Sequence, residues 1–216
     1  NEYLSPRSPY TTLQIPKQGI GEWCHPLHTV DINDAGLRSS VQNGILNTEL
    51  GIPFRTPAEG HNVAFTSLWG NYPDSLEIPL KGKASRAYLL MAGSTNHMQC
   101  HIDNGVIRIY YKDGTRDVMF LRNPDNWPPI EHIFFEDGLA FNRHTPALYR
   151  LRLKTGEISN NFGEELGFPG ASRELDGGAA VLLEMPLNPG KKLSHLVLET
   201  LSNDVVIGLM SITLQR

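Results

Sequence analysis

The residues best equipped for chemistry lie in the stretch "YYKDGTRDVMFLRNPDNWPP", residues 110–129. It holds three aspartates, Asp113, Asp117 and Asp125, and one tryptophan, Trp127. Paired carboxylates carry out glycoside hydrolysis, and a tryptophan ring offers a flat apolar surface on which a sugar can stack. The same residues also fit a β-hairpin followed by a tight corner, and the pairing of its two strands decides between these interpretations.

The hairpin interpretation can be tested by strand register. The Asp-Gly pair at 113–114 is a strong signal for a two-residue type I′ loop, in which the aspartate tolerates a positive φ. This loop predicts that Ile107 faces Phe120 and that Ile109 faces Val118 on one apolar side. A shift of one residue would scramble that sorting. The sequence therefore favours a hairpin over an acid cluster.

Elsewhere the acidic residues show no catalytic spacing. Acids stand side by side in "FGEEL" (Glu164, Glu165) and "EDG" (Glu136, Asp137). Adjacent side chains on an extended chain point to opposite sides, which suits a two-carboxylate mechanism poorly. The sequence also contains no G-x-S-x-G, P-loop or H-E-x-x-H motif. We therefore expect that this chain is not itself catalytic.

Two segments combine cysteine and histidine at the spacing of metal ligands. They are "CHPLH" (Cys24, His25, His28) and "HMQCH" (His97, Cys100, His101). Three alternatives remain open, namely a four-ligand zinc site, a disulfide between Cys24 and Cys100, and unpaired cysteines. The spacing matches no zinc module, so no metal ligands are assigned and no cofactor is expected. A structural calcium ion could still lie in one of the oxygen-rich loops, which are also ordinary turn sequences.

Three aromatic residues are candidates for carbohydrate binding, because they lie in loop-like surroundings rich in Gly, Pro and Asn. They are Trp69 and Tyr72 in "LWGNYPD" and Trp127 in "NPDNWPP". An exposed ring there would provide a stacking platform. The alternative is that the tryptophans close the ends of a hydrophobic core, which large aromatics commonly dominate.

The composition limits the classes of function. The chain has 216 residues and a net charge of −4. Its basic residues are spread out, whereas nucleic-acid binding needs a concentrated basic face, and no apolar run approaches the ~20 residues of a membrane helix. We expect neither a nucleic-acid partner nor membrane insertion. The start "NEYLSPRSPY" has no initiator Met or apolar leader, which suggests a processed chain or a piece of a longer protein.

Short strand-like runs between Gly and Pro turn signals predict an all-β sandwich or barrel of about ten strands. In "ALYRLRLK", residues 147–154, alternation predicts a strand with one solvated face that contains Arg150. The run "DVVIGLMSITL" is apolar on both faces and is predicted to lie centrally in a sheet. Residues 1–50 are less regular and are expected to wrap as an arm on a sandwich formed by residues 51–216.

Several segments together resemble a known accessory domain. They are "GIPFRTP", "VAFTSLWGNYPDSLEIPLKGKASRAYLLMAGSTN", "GVIRIYYKDGT", "FLRNPDNWPP" and "LSHLVLETLSNDVVIGLMSITLQR". The likeness covers about residues 51–216 and is to the galactose-binding-like jelly-roll sandwich of large polysaccharide-degrading proteins, notably of gut Bacteroidetes. The preceding arm is similar to the lead-in of a family catalogued only as a domain of unknown function in such proteins.

The resemblance implies a jelly-roll, non-catalytic accessory module of a glycoside hydrolase, located in the periplasm, at the cell surface or outside the cell. Its expected partners are a catalytic domain of the same polypeptide and a polysaccharide or oligosaccharide. One alternative is a purely structural domain that orients the catalytic domain. A second alternative is a small jelly-roll hydrolase or lyase. No sugar-binding motif carries over residue by residue, and likeness of fold does not establish function.

Overall fold

The computed structural model describes residues 6–13, 31–96, 99–133, 142–165 and 174–216. These ranges contain fifteen strands and two short helices. The strands are β1 (Tyr10–Thr11), β2 (Val41–Gln42), β3 (Ile45–Asn47), β4 (Pro53–Arg55), β5 (Val63–Ser67), β6 (Ser75–Pro79), β7 (Arg86–Met91), β8 (Ser94–Thr95), β9 (Gly105–Tyr111), β10 (Arg116–Leu121), β11 (Arg150–Arg152), β12 (Ile158–Ser159), β13 (Ala179–Pro186), β14 (Leu193–Thr200) and β15 (Val205–Gln215). The helices are α1 (Ala35–Ser39) and α2 (Phe162–Glu165). Neither helix has the length and apolar character needed to cross a bilayer.

Two antiparallel sheets form a sandwich, as the strand pattern predicts. The larger sheet has the order β1-β5-β15-β7-β13-β11-β12, with β8 beside β15, and the smaller has the order β10-β9-β14-β6. A hydrophobic core fills the space between them, with Leu89 and Val181 contributed by the larger sheet and Ile109 and Leu196 by the smaller. The fifteen strands outnumber the two short helices and exceed the ten or so predicted, and the all-β prediction is confirmed.

A second core lies on the opposite side of the larger sheet. A three-stranded sheet, β2-β3-β4, and helix α1 cover this side. Leu37 of α1, Leu46 of β3 and Phe54 of β4 pack there with Phe65 of β5. The larger sheet is therefore buried on both faces. The arm was predicted to end at residue 50. Strand β3 lies before that residue and pairs with β4, which lies after it.

Strand β15 lies at the centre of the larger sheet, between β5 and β7. Its alternate residues reach different cores. Val205 and Ile207 belong to the core between the sheets, and Val206 and Met210 belong to the outer core. A run that is apolar on both faces suits a strand buried on both faces, so the predicted central position is confirmed.

The β9–β10 hairpin has a longer loop than predicted. The Tyr111 N–H donates to the Thr115 carbonyl at 2.9 Å, and the Gly114 N–H donates to the Tyr111 carbonyl at 3.1 Å. Residues 112–114 thus form a three-residue loop whose last residue, Gly114, has a φ of +84°. A type I turn followed by a left-handed residue is the common form of such loops. The predicted two-residue loop, with a positive φ at the aspartate, is wrong.

This longer loop shifts the strand register by one residue and turns the side chains of β10 to the opposite face. Val118 now lies beside Arg108, and Phe120 lies beside Val106. Val118 and Phe120 are each 42% exposed. Their predicted pairing with core isoleucines is therefore wrong, and two large apolar side chains stand on the outer side of the smaller sheet.

Arg150 of β11 was predicted to face solvent but is only 6% exposed. Its Nη2 atom donates to the carbonyls of Pro129, Ile130 and Ala179 at 2.9, 3.1 and 3.0 Å. Burial lowers the pKa of this guanidinium to about 10, so it remains charged at neutral pH. Arg150 therefore fastens the segment after the hairpin corner to the larger sheet. The predicted exposure is wrong for Arg150, whereas the Lys154 side chain on the same face is 45% exposed.

Candidate functional site

The outer side of the smaller sheet is the most distinctive surface that the structure describes, and we name it the open face. Three rows of side chains cross it, because the strand pairing aligns alternate residues of β10, β9, β14 and β6. The rows are Arg116–Tyr110–His195–Pro79, Val118–Arg108–Val197–Glu77 and Phe120–Val106–Glu199–Ser75. These rows mix apolar, aromatic and charged residues, unlike the largely apolar inner side of the same strands.

The first row of the open face is a stack of planar groups. The rings of Tyr110 and His195 are nearly parallel, with centroids 4.6 Å apart. The guanidinium of Arg116 lies 5.7 Å from the centre of the Tyr110 ring, and its Nη1 donates to the Tyr110 hydroxyl at 3.0 Å. Because both faces of the Tyr110 ring are covered, this row presents ring edges, a hydroxyl and an imidazole.

The other two rows add charge and exposed carbon. Arg108 forms an ion pair and hydrogen bond with Glu199. The guanidinium of Arg122 lies 5.6 Å from the centre of the Phe120 ring, while Val106 beside that ring is completely buried. The open face therefore combines an apolar surface with fixed hydrogen-bond donors and acceptors.

Two of the three aspartates in the opening stretch stabilise the hairpin. The Oδ1 atom of Asp113 accepts hydrogen bonds from the Thr115 N–H at 3.0 Å and the Thr115 hydroxyl at 2.6 Å. These bonds, with a further one from Lys191, lower the pKa of Asp113 to about 2. Asp117 accepts a hydrogen bond from the Tyr111 hydroxyl, whose pKa burial and this bond raise to about 12. The hairpin interpretation is confirmed.

Trp127 is a core residue rather than a carbohydrate platform. Its exposure is 0%, and it belongs to the core between the two sheets. The Trp127 N–H donates to the Arg122 carbonyl at 3.1 Å, so the corner turns the ring inward. At Gly93 a Cβ atom would lie 2.7 Å from the indole, and the glycine permits that close approach. A sugar cannot reach this ring, which corrects its assignment as a binding residue.

Trp69 and Tyr72 lie together in the β5–β6 loop, where the Tyr72 N–H donates to the Trp69 carbonyl at 3.4 Å. Tyr72 contacts Phe65 edge to face at 5.9 Å, and the guanidinium of Arg7 covers its ring at 5.4 Å. Trp69 is half-buried, and its Nε1 atom is buried without a hydrogen-bond partner. A carbohydrate-binding role for either residue stays a prediction, and neither lies in the rows of the open face.

Of the cysteine and histidine candidates, Cys100 and His101 are described. Cys24, His25, His28 and His97 lie outside the described residues, and so does one partner of the possible Cys24–Cys100 disulfide. The Asn123 amide donates to the Cys100 sulfur at 3.4 Å. His101 meets Asp125 and His144, and the potential ligand atoms of the three lie within 4.8 Å of one another. His101 and Asp125 were each candidates from the sequence, but their grouping with His144 was not predicted, because the three residues are far apart along the chain.

The adjacent acids lie largely outside the described residues as well. This applies to Glu136 and Asp137 and to the side chains of Glu164 and Glu165. Comparisons with protein-family models, curated proteins and solved structures found no match to this chain. The class that the structure defines is an all-β sandwich with one covered and one open sheet.

Proposed function

We propose that this chain is a non-catalytic, galactose-binding-like jelly-roll module of a secreted or cell-surface glycoside hydrolase, and that its open face binds carbohydrate. The observation that carries the proposal is the combination of exposed Phe120 and Val118 with the Arg108–Glu199 ion pair and the Tyr110–His195 stack. A sugar presents apolar C–H faces and hydroxyl groups together. This mixture of side chains is complementary to both.

The arrangement is suited to an extended ligand. Neighbouring strands lie about 4.8 Å apart, so four strands offer a surface about 15 Å across. Phe120 lies at one edge of this surface and can contact sugar carbon atoms. Arg108 can donate to hydroxyl groups, and Glu199 can accept from them. Because these two side chains are already paired with each other, little conformational freedom would be lost on binding.

A second candidate function follows from the exposed apolar residues. Val118 and Phe120 lie on β10, an edge strand of the smaller sheet, and each is 42% exposed. Exposed apolar side chains rimmed by polar residues are also typical of protein interfaces. A purely structural module would use the same face to pack on a catalytic domain of its polypeptide.

Isothermal titration against a panel of polysaccharides tests the proposal. We expect that a glycan binds the wild type and that Phe120→Ala weakens binding at least about tenfold, or about 1.4 kcal/mol. Arg108→Ala should weaken it similarly by removing a hydrogen-bond donor. Trp69→Ala, in the β5–β6 loop, tests the alternative loop site and should bind as the wild type does if the open face holds the glycan.

The outcomes separate the candidate sites. Loss of binding in Trp69→Ala, with Phe120→Ala unaffected, would place the carbohydrate site in the loop and overturn the open-face assignment. If no glycan of the panel binds the wild type, the carbohydrate proposal fails. If the chain is instead a purely structural module, Phe120→Ala should weaken its association with the neighbouring domain of the parent protein.

A further inference from the structure

His101, Asp125 and His144 come from three separate segments and meet at one end of the sandwich. The Nδ1 atom of His101 lies 3.8 Å from Oδ2 of Asp125, and the Nδ1 atom of His144 lies 3.5 Å from the same oxygen. The two imidazole rings are tilted against each other with centroids 4.6 Å apart. Two imidazole nitrogens and one carboxylate oxygen therefore converge on a common point.

Asp125 is held rigidly by the corner that follows β10. The Asn126 N–H and the Trp127 N–H both donate to the Arg122 carbonyl, at 2.9 and 3.1 Å. The His144 N–H donates to Oδ1 of Asp125 at 2.7 Å. One carboxylate oxygen is thus fixed by the backbone, and the other faces the imidazoles. Ordered support of this kind orients the ligands of metal sites.

His101 is also fixed in place by its backbone. It has a φ of +56°, and its N–H donates to the Asn123 carbonyl at 2.7 Å. The Nδ1 atom of His101 is buried and has no hydrogen-bond partner. A left-handed backbone conformation and a buried ring nitrogen without a hydrogen bond are both unfavourable unless they serve the site. Coordination would satisfy that nitrogen.

We propose that these three residues bind a divalent transition-metal ion of the Zn²⁺ class through two Nδ1 atoms and Oδ2 of Asp125. At zinc–ligand distances near 2.0–2.1 Å, two ligands of a tetrahedral site lie about 3.3 Å apart. The observed separations of 3.5 and 3.8 Å need only small movements to reach that value. Both separations are also too long for good hydrogen bonds. Direct hydrogen bonding between these side chains therefore explains their arrangement less well than a bound metal ion does.

The set of ligands also indicates the kind of metal. Calcium prefers six to eight oxygen ligands, whereas imidazole nitrogens suit zinc, iron, copper and nickel. Three protein ligands leave a fourth position for water or for a ligand oxygen. The His144 side chain is 65% exposed, so that position can be reached from solvent. This site is separate from the open face and does not depend on the proposed function.

Metal titration of the full chain tests the site. Chelator-treated protein is titrated calorimetrically with zinc chloride, and bound metal is counted by mass spectrometry. We expect one ion per chain and affinity at least about 100-fold weaker in Asp125→Asn and His144→Ala, since even the groups that orient metal ligands contribute 10–100-fold. His195→Ala, on the open face, is the matched control and should bind as the wild type does.

Thermal unfolding shows whether a loss of binding reflects misfolding. Zinc should raise the Tm of the wild type by mass action and leave the Tm of both site variants unchanged. His144→Ala should fold without metal, because that side chain is largely exposed. Absence of stoichiometric zinc in the wild type would overturn the proposal. It would equally be overturned if Asp125→Asn and His144→Ala retained full affinity, since other cysteines or histidines would then hold the ion.

Discussion

The two sheets of the sandwich differ in how far other described elements of the chain cover their outer sides. The outer side of the larger sheet is covered by α1 and the β2-β3-β4 sheet, which bury Leu37, Leu46 and Phe54 against it. Within the described residues, the outer side of the smaller sheet carries no such layer and presents the rows of the open face. In the part of the chain that the structure describes, one sheet is therefore covered on both faces and the other on one.

The covered side of the larger sheet and the open face also differ in the kinds of side chain that they carry. On the covered side, Phe65, Leu90 and Val206 form a continuous apolar surface. On the open face, charged residues are mixed with apolar ones, and Arg108 pairs with Glu199. The covered surface therefore contributes to stability by burial, whereas we expect the open face to contribute mainly to recognition.

A matched pair of phenylalanines gives the largest expected contrast. Phe54 is 0% exposed on the covered side, and Phe120 is 42% exposed on the open face. Truncating a buried phenylalanine costs about 3–5 kcal/mol, because both burial and packing are lost. We expect that cost for Phe54→Ala and less than about 1 kcal/mol for Phe120→Ala, measured as free energies of unfolding in urea.

If the two substitutions lowered the free energy of unfolding equally, the covered side and the open face would not differ in their contribution to stability. A large destabilisation by Phe120→Ala would mean that its side chain is buried by residues outside the described ranges or by another copy of the chain. Repeating the measurement at several protein concentrations separates these two explanations, because the stability of an oligomer depends on concentration.

The protein interior also contains a buried acid, Glu131, which is 0% exposed. Burial raises the pKa of this carboxyl from 4.5 to about 7, although the nearby Arg150 charge and the Ser94 hydroxyl lower it in part. Neither carboxylate oxygen has a hydrogen bond of normal geometry. The native state therefore retains a proton that the unfolded chain releases at lower pH.

The sign of the pH effect follows from this difference. Below about pH 4.5 both states are protonated, and between 4.5 and 7 the unfolded chain loses the proton first, so native stability falls as pH rises. Glu131→Gln should gain about 3 kcal/mol relative to the wild type across that interval, measured by urea unfolding at pH 4.5, 6 and 8. Glu77→Gln, whose side chain is 64% exposed on the open face, is the control. A constant difference between Glu131→Gln and the wild type would show that the acid is not buried as described.

The sequence was sufficient to predict the longer strands and the sandwich, because alternation and turn residues are local signals, but not short strands such as β1, β2, β3 and β12. Register was harder to predict. The Asp-Gly pair at 113–114 fits two loop lengths, and only the hydrogen bond from Tyr111 to Thr115 distinguishes them. The one extra residue in the longer loop decides whether the Phe120 side chain lies in the core or on the open face.

The positions of single side chains depend on contacts between distant segments. Trp127 is buried because Gly93, from a different loop, leaves room for its ring. His101, Asp125 and His144 meet through folding alone. Arg150 is buried because carbonyls of Pro129, Ile130 and Ala179 surround its guanidinium. Local pattern cannot predict such contacts, so the candidate sites emerged from the fold.

The hairpin loop that places β10 on the open face gives the smallest expected effect. Gly114 has a φ of +84°, and a Cβ atom there would meet nothing within 4 Å. Gly114→Ala should therefore cost about 1 kcal/mol, from backbone strain alone. Gly114→Asn should cost less, since asparagine tolerates the left-handed region. Urea unfolding would measure both, and equal costs would argue against a left-handed conformation at residue 114.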